Sequence, residues 1–185
     1  MNINNVKRTD KRLVSPYWSN LNIQAYGRDN LYPQRMLDLL RCSTTGGTCC
    51  DRYETFIEGD GLFDKDFSEY VCNRRGETVD DLYRLIAQDM ANFHGFALHV
   101  NYNMMCEIVE VSHVPFQQCR LEEETEDGKV INIVVHPDWT GKKTRKGKTI
   151  LVNRENAKRV FVFNPRKSVV MAQIEKCGGI ENYRG

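Results

Sequence analysis

The spacing of apolar side chains changes near residue 95, and that change confines the chain to one fold class. Leu82, Leu85, Ile86, Met90 and Phe93 recur at helical spacing, which predicts a helix over 79–93. Thr78 suits its N-cap, Asp80 and Asp81 face the positive end of its dipole, and Gly95 is the expected stop. Beyond Gly95 the period becomes two. Phe96, Leu98 and Val100 alternate with Ala97, His99 and Asn101, and residues 108–111 follow an Asn103-Met104-Met105 connection. Asp127-Gly128 divides 118–124 from 129–135 as a hairpin turn divides two strands. Residues 158–163 form a further strand, and 168–176 a short helix stopped by Gly178-Gly179. Helices followed by strands indicate an α+β fold, with N-terminal helices packed on a mostly antiparallel meandering sheet.

Upstream of this switch, residues 1–15 are polar and basic and read as a mobile arm. Tyr17, Trp18, Leu21 and Ile23 pin its end to the body. After the turn at 27–30, Pro33 suits the first turn of a helix that carries Met36, Leu37, Leu39 and Leu40. Ser43 caps a second helix over 44–57, with Cys49, Tyr53, Phe56 and Ile57 as its apolar stripe and Gly59 at its end. Gly46 and Gly47 each weaken that helix by up to about 1 kcal/mol. A short helical piece is expected at 67–72. The chain thus divides into the arm, a single domain over 16–180 (helical over 33–93, sheet-rich over 96–163), and 181–185 as a tail or truncation point.

A chain of 185 residues, 41% hydrophobic and 28% charged, has ordinary globular composition, and a net charge of +1 supplies no whole-molecule field for nucleic acid or membranes. The seven cysteines are odd in number and form no C-x-x-C. The opening residues lack the apolar run of a signal peptide, and no stretch approaches the roughly 20 apolar residues of a membrane span. Reduced thiols acting mostly as small core residues are the expectation.

No residue cluster selects a reaction. His94 and His99 lie on different predicted elements, and Cys49-Cys50 has no nearby partner pair, so no metal or other cofactor is expected. The four histidines are expected to be exposed. The carboxylates of 122–124 and of Glu126-Asp127 flank a hairpin, where charges are usually solvated, and the glycine clusters at 45–48 and 59–61 match no nucleotide-binding pattern. A cleft in which a cysteine or carboxylate touches a histidine is therefore not expected. Residues 138–167 carry ten basic side chains against Asp138 and Glu155. Lys142, Lys143, Arg145, Lys146 and Lys148 are the candidates there for contact with DNA backbone phosphate or an acidic partner, since no aromatic residues interleave them for base stacking. Two readings of function follow from the residues alone. One is a small binding module using 142–159 to hold nucleic acid or an acidic partner. The other is a thiol enzyme whose cysteine and histidine meet only in space.

The order of punctuation carries a third reading. Gly27-Arg28-Asp29-Asn30-Leu31-Tyr32-Pro33 supplies an N-x-x-P turn, Ser43-Thr44-Thr45 an S-x-T cap, and Gly59-Asp60-Gly61-Leu62 a G-x-G turn. Residues 89–100 give a helix followed by a G-x-x-x-x-V strand, and 108–120 a strand pair ending in Arg120. Over about 17–165 this order resembles the N-terminal part of tailed-phage portal proteins. The resemblance implies the outer, wing-like α+β region of a longer, non-catalytic virion protein, one subunit of a ring at the capsid vertex. Through that ring double-stranded DNA is packaged and ejected. Identical subunits, capsid, terminase and tail-adaptor proteins are the partners it implies, with location in the virion and, during assembly, in the host cytoplasm.

Overall fold

Beside one another, the helical and extended halves make an α+β fold whose parts are fastened by buried polar groups as much as by apolar packing. The computed structural model describes the backbone of 17–18 and residues 21–141 and 152–183. The predicted arm at 1–15 lies outside the described residues, as do the last two residues of the predicted tail.

Strands β1 (Tyr17–Trp18) and β2 (Ile23–Gln24) pair antiparallel, and Leu21 and Ile23 are fully buried. They join Val134, Trp139 and Ala157 in the principal core, with Leu31 and Val152 packed against it. Helix α1 (Tyr32–Cys42) carries buried Pro33 in its first turn, where a missing N–H breaks no helical hydrogen bond. Helix α2 (Thr44–Glu58) starts at Ser43, whose Oγ accepts the Gly46 N–H, and ends at Gly59. Its glycines have a packing reason: a Cβ on Gly47 would stand 3.0 Å from the Leu40 carbonyl oxygen, so a larger residue would push α2 off α1. Helix α3 (Lys65–Ser68) is shorter and earlier than the piece expected at 67–72, because Val71 leaves the helix to bridge Thr78.

Helix α4 (Val79–Phe93) is the packing element that α1, α2 and α3 share. Thr78 Oγ1 accepts the Asp81 N–H while Asp81 reaches back to the Thr78 N–H, a reciprocal cap. The helix stops at His94, in the left-handed conformation with φ 57°, rather than at Gly95. Gly95 answers a different need: a Cβ there would lie 3.0 Å from the Phe116 ring.

Strands β3 (Ala97–Tyr102) and β4 (Ile108–Val114) form the expected hairpin. Strands β5 (Cys119–Leu121), β6 (Asn132–Val135) and β7 (Lys158–Phe161) form a second antiparallel sheet, with the turn at 125–129 between β5 and β6. The meander is broken at Pro115, where a short 3-10 helix (Phe116–Gln118) turns the chain from one sheet to the other. Helix α5 (Lys167–Lys176) closes the described fold.

Several expectations need correction. Cys49, Tyr53 and Phe56 do not form a buried stripe; no residue of α2 is buried. Only Cys72 and Cys119 of the seven cysteines are buried, so most are not core residues. The histidines are not uniformly exposed either, since His136 is buried and His113 nearly so.

Two depressed carboxyls make stability depend on acid. The Thr78 backbone N–H and then its hydroxyl hold Asp81 below its ordinary value of 3.8. The Asn101 amide and then the Arg74 N–H hold Glu110 below 4.5. Such groups contribute stability that is complete above the unfolded-state values and is lost as pH falls through the folded ones. Chemical denaturation should therefore show stability declining below about pH 4.5, with a shallower decline for Asp81→Asn. An acid limb of unchanged slope in that variant would refute the assignment to Asp81.

Candidate functional site

Two polar constructions organise the molecule, and neither includes the basic residues singled out as candidate contacts. Lys142, Lys143, Arg145, Lys146 and Lys148 lie outside the described residues. Of the neighbouring cations, Arg159 is committed within the fold: its Nε donates to Glu122 Oε1 at 3.1 Å and its Nη2 to the Leu21 carbonyl at 2.9 Å. Glu122 also accepts from Asn132. This corrects the expectation that the carboxylates of 122–124 are simply solvated, since one of them fastens β7 to β5.

The first construction is Arg120, whose side chain is 0% exposed. Among the described residues no carboxylate pairs with it. Its Nε donates to Asn30 Oδ1 (2.5 Å), Nη1 to the carbonyls of Gln117 (3.0 Å) and Cys119 (2.7 Å), and Nη2 to the Asn30 carbonyl (2.7 Å) and Gln34 Oε1 (3.3 Å). The guanidinium plane lies between two aromatic faces, 4.8 Å from the Tyr26 ring centre and 4.7 Å from that of Trp139. Oriented carbonyl dipoles and ring quadrupoles thus take over from water. Burial lowers the Arg120 pKa to about 10, still cationic at neutral pH, and pushes the adjacent Cys119 thiol up to about 12.

Local sequence explains why Asn30 is the partner. Asn30 sits at φ 59°, a conformation Asn tolerates better than most side chains, so its carbonyl and side chain both turn toward Arg120. Its Oδ1 also accepts the Tyr26 N–H, which closes the turn, and Pro33 starts α1 three residues on. Tyr26 lies 5.8 Å from Phe116, which stacks on Phe93 at 5.2 Å, linking the knot to α4.

The second construction corrects the expectation that no carboxylate touches a histidine in a cleft. Asp89 on α4 and His113 on β4 meet at 2.7 Å between Oδ2 and Nε2, and Asp89 Oδ2 also accepts the Phe116 N–H at 3.1 Å. Both side chains are about nine-tenths buried. They stand on the wall of an open cleft of about 520 Å³ between α1, α2 and α4, which Arg41, Cys50 and Asp51 also line. A carboxylate that fixes an imidazole is the positioning half of an acid–base device. The other half is a group whose proton the imidazole moves, and among the described residues no hydroxyl or thiol hydrogen-bonds His113. As built, the pair clamps helix to strand. Sequence reading missed it because residues 24 apart, one helical and one extended, show no common period. Among the described residues no group of histidine, cysteine and carboxylate side chains is arranged to hold a metal, and no helix is long and apolar enough to cross a membrane.

Removing the Arg120 guanidinium takes a donor from five acceptors, two of them on Asn30, and opens a void between two rings. Arg120→Met should cost about 3 kcal/mol or more in chemical denaturation, and Arg120→Lys should recover only part of that, because an ammonium lacks the planar fork and does not stack between the rings. A loss below about 1 kcal/mol for either variant would show that the knot is not a major support.

No family model, curated protein or solved structure matches this chain.

Proposed function

We propose that the chain is a structural subunit of a tailed-phage portal, working through contacts with identical subunits and other virion proteins and not through catalysis. The observation that carries this reading is the surface from α2 to Val71. Phe56 is 86% exposed and Phe63 104%, and Tyr53, Phe67, Tyr70 and Val71 stand exposed in the same segment. Isolated apolar residues are normal on any surface, but a 15-residue helix without one buried residue, followed by four more exposed large apolar side chains, is characteristic of a face that another protein covers.

The portal part of the reading draws on the order of landmarks. It draws also on the bond between two of them: Asn30 of the N-x-x-P turn and Arg120 at the end of the second strand hold each other in the core. Landmarks 90 residues apart thereby share one physical task. On this reading the ring contacts of the subunit come from the α2–Val71 surface.

Sedimentation velocity from about 1 to 100 µM, with negative-stain imaging, tests it. The expected result is concentration-dependent self-association into arcs or rings, which a Phe56→Asp, Phe63→Asp double variant shifts to monomer without lowering the melting temperature. A strictly monomeric wild type over that range would overturn the reading.

The cleft favours one second reading, a thiol enzyme, since Cys50 and the Asp89–His113 pair share its wall. That chemistry requires a Cys50 acid enough to react at about pH 6. Mass-spectrometric labelling of Cys50 at least about tenfold faster than of exposed Cys42 would support it, and equal or slower labelling would remove it.

A further inference from the structure

We infer that the slot between β3 and β7 receives an extended, uncharged apolar strand from a partner protein, which pairs its main chain with the free edge of β3. Hydrogen-bond register identifies the free groups. The Val111 N–H donates to the Cys72 carbonyl at 2.9 Å, away from β3, so Val111 and its partner Val100 are a non-hydrogen-bonded pair of the hairpin. Two residues on, Leu98 opposite His113 has the same character. The N–H and C=O of Leu98 and Val100 therefore point outward from the hairpin, and among the described residues nothing accepts from or donates to them.

The same reasoning applies across the slot. The Val162 N–H donates to the Ile131 carbonyl, which makes Asn132 and Phe161 a non-hydrogen-bonded pair and turns the Phe161 main chain outward from β7. Residues 96–100 and 160–163 line the two banks consecutively, as strands seen along their edges do, and Ile133 and Val135 form the floor. The slot encloses about 200 Å³ and, apart from His99, its walls are apolar. Phe96 and Phe163 stand exposed at its rim. Tyr183 packs 5.9 Å from both the Tyr102 and Phe161 rings and bridges the two strands.

The outer edges of β4 and β5 are covered from within the chain. Cys72 and Asn73 bond to the main chain of Val111 on the outer side of β4, and Asn22 and Ile23 cover β5 through the Glu123 N–H and the bridge to Glu122. Unpaired strand edges are normally blunted by charge, proline or a covering segment. Among the described residues the β3 edge has none of these at Leu98 and Val100. Main-chain groups free for pairing beside an apolar slot are the features that strand addition uses, with ladder hydrogen bonds for affinity and alternate side chains for fit. An uncharged guest follows from the walls, which are apolar except at His99, because a charge buried against the apolar stretches would lose its hydration uncompensated. This inference does not rest on the portal reading, and its failure would leave the α2–Val71 surface untouched.

The probe is a fluorescein-labelled peptide of alternating valine and threonine with a lysine at each end, added to the full chain. Its control is the same peptide N-methylated at alternate amides on the side that pairs. Expected are saturable binding of the unmethylated peptide below about 1 mM and weakening by about tenfold or more on methylation. Expected too is about tenfold slower hydrogen exchange at Leu98 and Val100 in the bound state, read by NMR. Leu98→Pro removes an N–H that no ladder bond uses, a place where an edge strand tolerates proline, and should abolish binding while far-UV circular dichroism is unchanged. Equal affinity for the methylated peptide, or no binding up to about 1 mM by the folded wild type, would overturn the inference.

Discussion

A guanidinium removed from water loses hydration worth several kcal/mol, and a protein that buries one must give each N–H an acceptor and the charge a favourable field. Arg120 has both without a carboxylate. Carbonyls from the two chain segments that approach it accept its protons, and Tyr26 and Trp139 supply the field from either side. Its partners come from the turn before α1, from the 3-10 corner between the sheets, and from the loop after β6. Holding one planar group correctly therefore fixes all three relative to one another. The dependence is reciprocal: Asn30 sits at positive φ with its Oδ1 shared between Tyr26 and Arg120, and that turn in turn launches α1 beside α4.

Around this knot the apolar core is modest. Leu21, Ile23, Val134, Trp139 and Ala157 form its main cluster, so the N-terminal hairpin and the second sheet share one interior. The helical layer is held differently. Helix α4 is tied to the sheet side by Asp89 bonding His113 and the Phe116 N–H, and by Phe93 stacking on Phe116. Helix α2 rests on α4 and its cap through Tyr53 meeting the His94 ring edge-on, Tyr83 donating to the Ile57 carbonyl and Arg84 pairing with Glu58, while Phe56 stays exposed. Tyr53 and Phe56 of this layer stand exposed.

The extended half shows how a small break redirects a sheet. Had β4 run straight into β5, the strands would have made one open meander. Pro115 and the 3-10 turn after it swing the second sheet away, so that β3 and β7 become banks of one slot instead of distant edges of one surface. Strand pairing covers the inner groups of each hairpin, and stray loop residues cover two of the outer edges. Covering is selective.

Much of the local chemistry was legible. Ser43 and Thr78 cap the helices they precede, Pro33 sits in a first turn, the hairpin at 103–107 and the turn at 125–129 lie where their residues place them, and the α+β order follows from the switch in period. These features depend on neighbours a few residues apart, so the sequence carries them whole. Burial was less legible, because the stripe of α2 has the right spacing but Cys49, Tyr53 and Phe56 stay exposed, and spacing cannot say whether another element covers them. The least legible were the long-range polar contacts. Asn30 with Arg120, Asp89 with His113 and Glu122 with Arg159 join residues 90, 24 and 37 positions apart. Each position on its own looks like an ordinary surface group. The chain's order alone determined which segments coil and which extend. Only the folded arrangement decided which charges leave water, since that depends on what happens to surround them in space.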